Sequence, residues 1–211
     1  MVAHEYAHGY AALRQGDQTA YMLGRLTFNP LKHIDPWMTV LLPLMLWFGS
    51  GGRMVFGGAK PVPVNPRNYR NYKRGDIIVS LAGIVTNIVL AAGCLGLAVA
   101  VGMLGNAMPS LVGLALFQRM LFWGIWLNLL LAFFNLIPIP PLDGSHVLAQ
   151  LLPPRLALPY RQLAQYGFVV LLALLFFYRN LFFILLSPAF MLHTLAMRVA
   201  QPFALMPPPL L

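Results

Sequence analysis

Residues 77–104 run from Ile77 to Leu104 without one charged side chain. A hydrocarbon core of about 30 Å is crossed by about 20 apolar helical residues, so this stretch exceeds what a span requires. It predicts a transmembrane helix, because in lipid only helices and closed barrels satisfy every backbone polar group internally. Composition agrees: the 211 residues are 59% hydrophobic and 9% charged, where a soluble domain is about one quarter charged. Residues 111–136 make a second span interrupted only by Gln118 and Arg119, and residues 163–178 a third that stops before Arg179. The expected fold class is an all-α polytopic membrane protein, a helical bundle forming a single membrane-embedded core over residues 1–200.

Charge orients the spans. A net charge of +9, from 14 Lys and Arg against five acids, would suit nucleic acid if the bases formed a recognition surface. Instead they crowd beside the first span: Ser50–Asp76 holds six bases and one acid, the pattern of a cytoplasmic loop. The expected partner is a lipid bilayer, not nucleic acid. The helix from residue 77 then runs outward, the uncharged 105–110 connection lies outside, and the helix from 111 returns Asn135–Gly144 to the cytoplasmic side. Within the basic loop, 14–76, the apolar stretch 37–49 contains Pro43 and is too short for an ordinary crossing, which suits a re-entrant element. Residues 181–200, with Pro188, His193 and Arg198, either cross or lie along the bundle; 201–211 form a Pro-rich extended tail. Cys94 is the sole cysteine, so no internal disulfide can form.

The N-terminal helix, residues 1–13, is about 20 Å long at 1.5 Å per residue and cannot span alone. It carries His4-Glu5-Tyr6-Ala7-His8, the pattern H-E-x-x-H. Residues four apart on a helix lie about 40° from each other, so both imidazoles face one way and Glu5 stands beside them. Glu5 is the sole glutamate and there are five histidines, so chance flanking at these positions has odds of about one in two thousand. The pattern predicts a zinc site, but catalytic zinc takes three protein ligands and keeps a position for water. The remaining acids are Asp17, Asp35, Asp76 and Asp143. Only Asp143 follows a span, in Asn135-Leu136-Ile137-Pro138-Ile139-Pro140-Pro141-Leu142-Asp143-Gly144, where three prolines unwind a helix end. Such backbone is tolerated at membrane depth where it lines a cavity. His33 and Asp35 read as structural, His146 as a surface histidine, His193 as a polar contact in the bundle, and Arg119 and Arg179 as snorkelling or internally paired.

Together these two segments resemble the paired signatures of the site-2 protease family, intramembrane zinc metalloproteases: H-E-x-x-H on one helix and N-x-x-P-x-P-x-L-D-G on another. Gly16-Asp17, Gly24 to Pro36 and Ala59 to Pro66 extend the resemblance to its short prokaryotic branch, over roughly residues 3–152. The resemblance implies zinc (Zn2+) held by His4, His8 and Asp143, Glu5 as catalytic acid–base, and Asn135 and Asn87 supporting the substrate backbone or developing oxyanion. It implies hydrolysis of peptide bonds in or near transmembrane segments of a membrane-protein substrate, in a prokaryotic cell membrane, with the active site near the cytoplasmic side. Met54–Val64 is expected to serve as an edge strand for an unwound substrate.

Two departures stand out. Family members carry more membrane helix before H-E-x-x-H than Met1–Ala3 supplies, so part of that helix is expected to be missing. The family's A-G-P-x-x-N reads Ala82-Gly83-Ile84-Val85-Thr86-Asn87, without the proline. No PDZ-like or CBS-like segment fits. The rival readings are a non-proteolytic metal-binding membrane protein and an inactive subunit of a membrane complex; oligomeric state is open.

Overall fold

The structure is a computed structural model describing residues 1–205 apart from 53, 54, 56, 109, 110 and 112. It divides into two compact units, Met1–Gly83 and Ile84–Leu211, taken in turn.

The first unit opens with α1 (Val2–Gln15). Gly16 ends it with φ 111°, a left-handed conformation that costs a glycine nothing. The Gly16 N–H donates to Leu13 O at 3.1 Å and the Asp17 N–H to Ala12 O at 2.9 Å, which is the Schellman pairing. That turn delivers Asp17, fully buried, to a set of donors. Its carboxylate accepts from Thr19 N–H (3.1 Å), Thr19 Oγ1 (2.5 Å), Asn65 N–H (2.6 Å) and Asn68 Nδ2 (2.8 Å). The Arg70 N–H adds a bond to Gln15 O at 2.8 Å, so the end of α1 is tied to residues 65–70. Ala12, Tyr69 and Val79 form the small core beneath.

After α2 (Thr19–Met22) come a 3-10 turn (Pro30–His33) and a π-helical turn (Pro36–Leu41) running into α3 (Leu42–Gly49). Asp35 caps that run, accepting from the Trp37 and Met38 N–H groups at 2.9 Å each. Residues 36–49 therefore form one short apolar helical segment, with Trp37, Met45 and Phe48 exposed. Among the described residues the expected edge strand does not form. Met54 and Phe56 lie outside the described residues, and residues 57–65 run without strand pairing. Pro61 and Pro63 lack N–H groups, which removes alternate donors from any ladder there. A 3-10 turn (Pro66–Asn68) leads to α4 (Tyr72–Ala107), within which the boundary between the units falls.

In the second unit the long helices are the rest of α4, α5 (Leu114–Leu136) and α9 (Arg179–Ala200); between them lie α6 (Asp143–Leu151), α7 (Pro154–Gln162) and α8 (Gly167–Phe177). The core seam sets small residues against large ones. Ala91 and Ala98 of α4, and Ala189, Ala196 and Ala200 of α9, pack with Leu121, Phe122, Ile125 and Leu129 of α5. Lipid supplies no hydrophobic drive between helices, so close backbone approach over small residues is how such packing gains dispersion contacts. Large apolar side chains instead face outward, among them Leu97, Met103, Leu116, Met120 and Trp123.

Among the described residues, three helices are long and apolar enough to cross a membrane: Tyr72–Ala107, Leu114–Leu136 and Asn180–Phe203. The first two cover the expected spans 77–104 and 111–136. The third differs, because the apolar stretch 163–178 is a 3-10 turn (Leu163–Tyr166) followed by the 11-residue α8. At 1.5 Å per residue α8 is about 16 Å long, short of a bilayer. Tyr178, at φ −119° and ψ 45°, leaves helical geometry and separates α8 from α9. The long third helix is α9, in which Pro188 withholds the N–H that would reach Ile184 O. The Ser187 hydroxyl donates to that carbonyl at 2.7 Å and repairs the gap.

Asp17 yields a test of the first unit. Burial pushes its carboxyl up, yet the hydrogen bonds from Asn65, Thr19 and Asn68 prevail and hold it below the ordinary value. A carboxylate with a depressed folded pKa contributes stability above its unfolded pKa of about 3.9, and loses it as pH falls through the folded value. Asp17→Asn should cost about 2–3 kcal/mol at neutral pH, since charged hydrogen bonds are lost and donors are left facing an amide. Thermal unfolding in detergent should also lose part of its decline below pH 4. An Asp17→Asn protein as stable as wild type at pH 7 would remove this carboxylate from the account.

Candidate metal centre

On α1, His4 is buried while Glu5 and His8 are half-buried. His8 Nδ1 lies 2.7 Å from Val79 O on α4. A peptide carbonyl only accepts, so Nδ1 carries the proton and the lone pair of the neutral ring sits on Nε2. That Nε2 is 3.0 Å from His4 Nε2, with the rings edge to face at a 4.5 Å centroid separation. A tetrahedral zinc with Zn–N bonds of about 2.0–2.1 Å holds two nitrogens roughly 3.3–3.4 Å apart. The pair is within a few tenths of an ångström of that spacing, and the tautomer of His8 is the one a metal needs.

Space for the imidazoles comes from Gly83. A Cβ there would lie 2.5 Å from His4 Cε1 and 2.6 Å from His8 Nε2, so α4 can approach the rings only because this residue lacks a side chain. Glu5, beside the histidines, accepts from the Val62 N–H at 2.8 Å through Oε2. Tyr6 stacks on Phe28 with centroids 4.1 Å apart, fastening the same turn of α1 to the following loop.

The second unit carries Asn87, Asn135 and Asp143. Asn87 is fully buried on α4. Asn135 Nδ2 donates to Leu131 O one turn back at 2.9 Å, which engages one of its amide hydrogens near the end of α5. Asp143 is the first residue of α6 and half-buried. The proline loop before it is held from three sides. Tyr160 of α7 donates its hydroxyl to Pro138 O at 2.8 Å, and burial raises that phenol's pKa, keeping it a donor. Gly167 of α8 abuts Pro140 O, and Gly144 abuts Leu136 O so closely that a Cβ at either position would collide with the carbonyl. The Asp-Gly pair therefore has a packing reason: only glycine lets α6 start against the end of α5.

The other polar residues take the expected structural places. His33 is buried, with Nε2 2.9 Å from Thr27 O; Asp35 is a cap, and His146 is exposed on α6. His193 is buried beside the Trp126 ring, 5.3 Å between centroids. Sequence reasoning missed the Val79 carbonyl and the Val62 N–H. Both are backbone groups and leave no signature in residue identity. It noted Gly83 only as part of a motif.

The model for Peptidase family M50 matches residues 102–178, which contain the Asn135–Gly144 segment. YwhC of Bacillus subtilis (strain 168), a protein assigned as a zinc metalloprotease, is 41% identical over 173 residues, covering 81% of this chain and 74% of that protein. Rip2 of Mycolicibacterium smegmatis, assigned likewise, is 34% identical over 172 residues, 82% of this chain and 61% of Rip2. Rip2 of Mycobacterium tuberculosis (strain H37Rv) is 31% identical over 173 residues. The chain thus spans about three quarters of YwhC and about three fifths of the Rip2 proteins. No solved structure matches it. With apolar helices of spanning length, and a relative of 41% identity matched along most of both sequences, the chain is an integral membrane protein belonging to peptidase family M50, the site-2 protease family of zinc metalloproteases.

Proposed function

We propose that this chain hydrolyses peptide bonds in or beside the transmembrane segments of other membrane proteins, with zinc held by His4, His8 and Asp143 and with Glu5 as acid–base. The observation that carries this reading is the pair of imidazole Nε2 atoms 3.0 Å apart, one with its lone pair oriented by Val79 O, on a helix turn that also presents Glu5. Asp143 supplies the third, anionic ligand that two neutral imidazoles lack. Bound zinc would supply Lewis acidity to the scissile carbonyl and lower the pKa of a water towards neutrality. Glu5 would take a proton from the attacking water and pass it to the leaving amine. Asn135 and Asn87 support the substrate backbone or the developing oxyanion. The substrate must be unwound first, because helical carbonyls are already hydrogen-bonded; the irregular 57–65 segment beside Glu5 is where extended backbone would lie.

The protein passes the membrane several times in a prokaryotic cell membrane, with the basic 50–76 loop and the active site on the cytoplasmic side. The intact Glu5 disfavours a ligand-only metal protein, which has no use for that acid.

Three experiments bear on this reading. Glu5→Gln should abolish cleavage of a model transmembrane substrate, a loss of about 10²–10⁴ or more, while zinc content by elemental analysis stays at wild-type level; near wild-type cleavage would sink the mechanism. Gly83→Ala should drive a methyl group into both imidazoles and reduce zinc affinity about 10–100-fold. Gly93→Ala on the same helix faces open space and should change nothing, so equal zinc in the two variants would remove the histidine pair from the metal site. Finally, in a Cys94→Ala background, cysteines at Arg67 and Asn106 should label from opposite faces of the membrane, and labelling of both from one face would overturn the orientation.

A further inference from the structure

Segment 58–62 has no regular secondary structure, yet it is bonded along its length. The Gly58 N–H donates to Met38 O at 2.9 Å and the Lys60 N–H to His33 O at 2.8 Å. The Thr39 hydroxyl donates to Gly58 O at 2.7 Å. Arg25 Nη2 donates to Lys60 O at 3.1 Å and to Pro61 O at 3.4 Å. The last bond of the series is the one from the Val62 N–H to Glu5 Oε2, at 2.8 Å.

Two of these contacts share one peptide group. Pro61 O and the Val62 N–H are opposite edges of the same planar amide, so Arg25 grips one edge while Glu5 is held by the other. The proline ring fixes φ at residue 61 but not ψ, so the plane can still turn about ψ and its two hydrogen-bonded edges are what hold it. A cation on the carbonyl oxygen also polarises the amide and strengthens its N–H as a donor. Gly9 admits the segment against α1, since a Cβ there would lie 2.9 Å from Val62 Cγ1. Arg25 itself is anchored in a tight turn: its N–H donates to Ala20 O at 2.9 Å, and Lys32 Nζ bonds Gly24 O at 3.1 Å.

We propose that Arg25 is a positioning residue for Glu5, acting through the Pro61–Val62 peptide to fix where the Glu5 carboxylate stands. This rests on the reading of Glu5 as the acid–base. Arg25 touches neither metal nor substrate in this role; it sets the orientation of an amide whose N–H orients the carboxylate. A carboxylate displaced by about 1 Å from its productive place costs about 10²-fold in turnover.

The test is steady-state cleavage of a fluorogenic model transmembrane peptide, with zinc measured on the same samples. Arg25→Ala should lower kcat by about 10–100-fold with KM within about twofold of wild type and zinc unchanged. Both Arg25 bonds come from Nη2, so Arg25→Lys keeps a charged donor of the same kind on a shorter, more flexible stem and should recover part of the loss. In a Glu5→Asp background the shorter side chain no longer reaches the Val62 N–H, so Arg25→Ala should change kcat less than about twofold. Wild-type kcat in Arg25→Ala, an effect confined to KM, or an equal loss in both backgrounds would overturn the proposal. Loss of zinc or of the folded protein in both Arg25 variants would overturn it too, by making the role structural. If Glu5→Gln is inactive while Arg25→Ala is not, only the positioning role fails; an active Glu5→Gln removes the acid–base reading itself.

Discussion

The bond between His8 Nδ1 and the Val79 carbonyl is the contact on which the proposed chemistry depends. It joins α1 to α4, and it decides which nitrogen of His8 carries the proton. Without it the imidazole could rotate or change tautomer, and its Nε2 would no longer present a lone pair towards His4. A carbonyl serves this purpose better than a carboxylate would in an apolar setting, because it orients the ring without adding a buried charge. Gly83, one turn further along α4, completes the arrangement by leaving room for both rings.

The same constraint, that polar groups at low dielectric must be satisfied by the protein, recurs away from the candidate metal centre. Gln118 is buried on α5, and its Nε2 donates to Ala98 O and Phe203 O while its Oε1 accepts from the Leu205 N–H. Ser187 answers the carbonyl that Pro188 leaves open. Tyr160 answers one carbonyl of the proline loop before Asp143. In water these groups would be solvated at small cost; in a bilayer each needs its own partner, and each partner in turn fixes a piece of irregular backbone. This is how a loop with three prolines can present a carboxylate at a defined place.

Much of the architecture was legible because lipid imposes a simple rule on composition. The uncharged run at 77–104 and the apolar run at 111–136, broken only by Gln118 and Arg119, are long enough to span, and they became α4 and α5. The run at 163–178 was equally apolar, but apolarity does not report continuity: the backbone departs from α geometry at Leu163–Tyr166 and again at Tyr178, leaving a short helix. Residues 54–64 were expected to form an edge strand because an unwound substrate needs a main-chain partner, whereas the described part, pinned to Glu5, Arg25 and the 33–39 turn, is irregular.

For the candidate site, the amino-acid sequence by itself determined the chemistry available: two imidazoles and a carboxylate at helical spacing, and a second carboxylate behind a proline-broken helix end. Those follow from residue identity and from the 3.6-residue turn, which are local. Only the tertiary structure decided the tautomer of His8, the room made by Gly83, the grip of Gly144 on the end of α5, and the peptide shared by Arg25 and Glu5. Each of these depends on a backbone atom brought from tens of residues away or across a sharp turn. Backbone atoms are the same in every residue, so side-chain identity gave no sign of the Val79 carbonyl or the Pro61–Val62 peptide; Gly83 and Gly144 were visible as motif positions, but what they make room for was not.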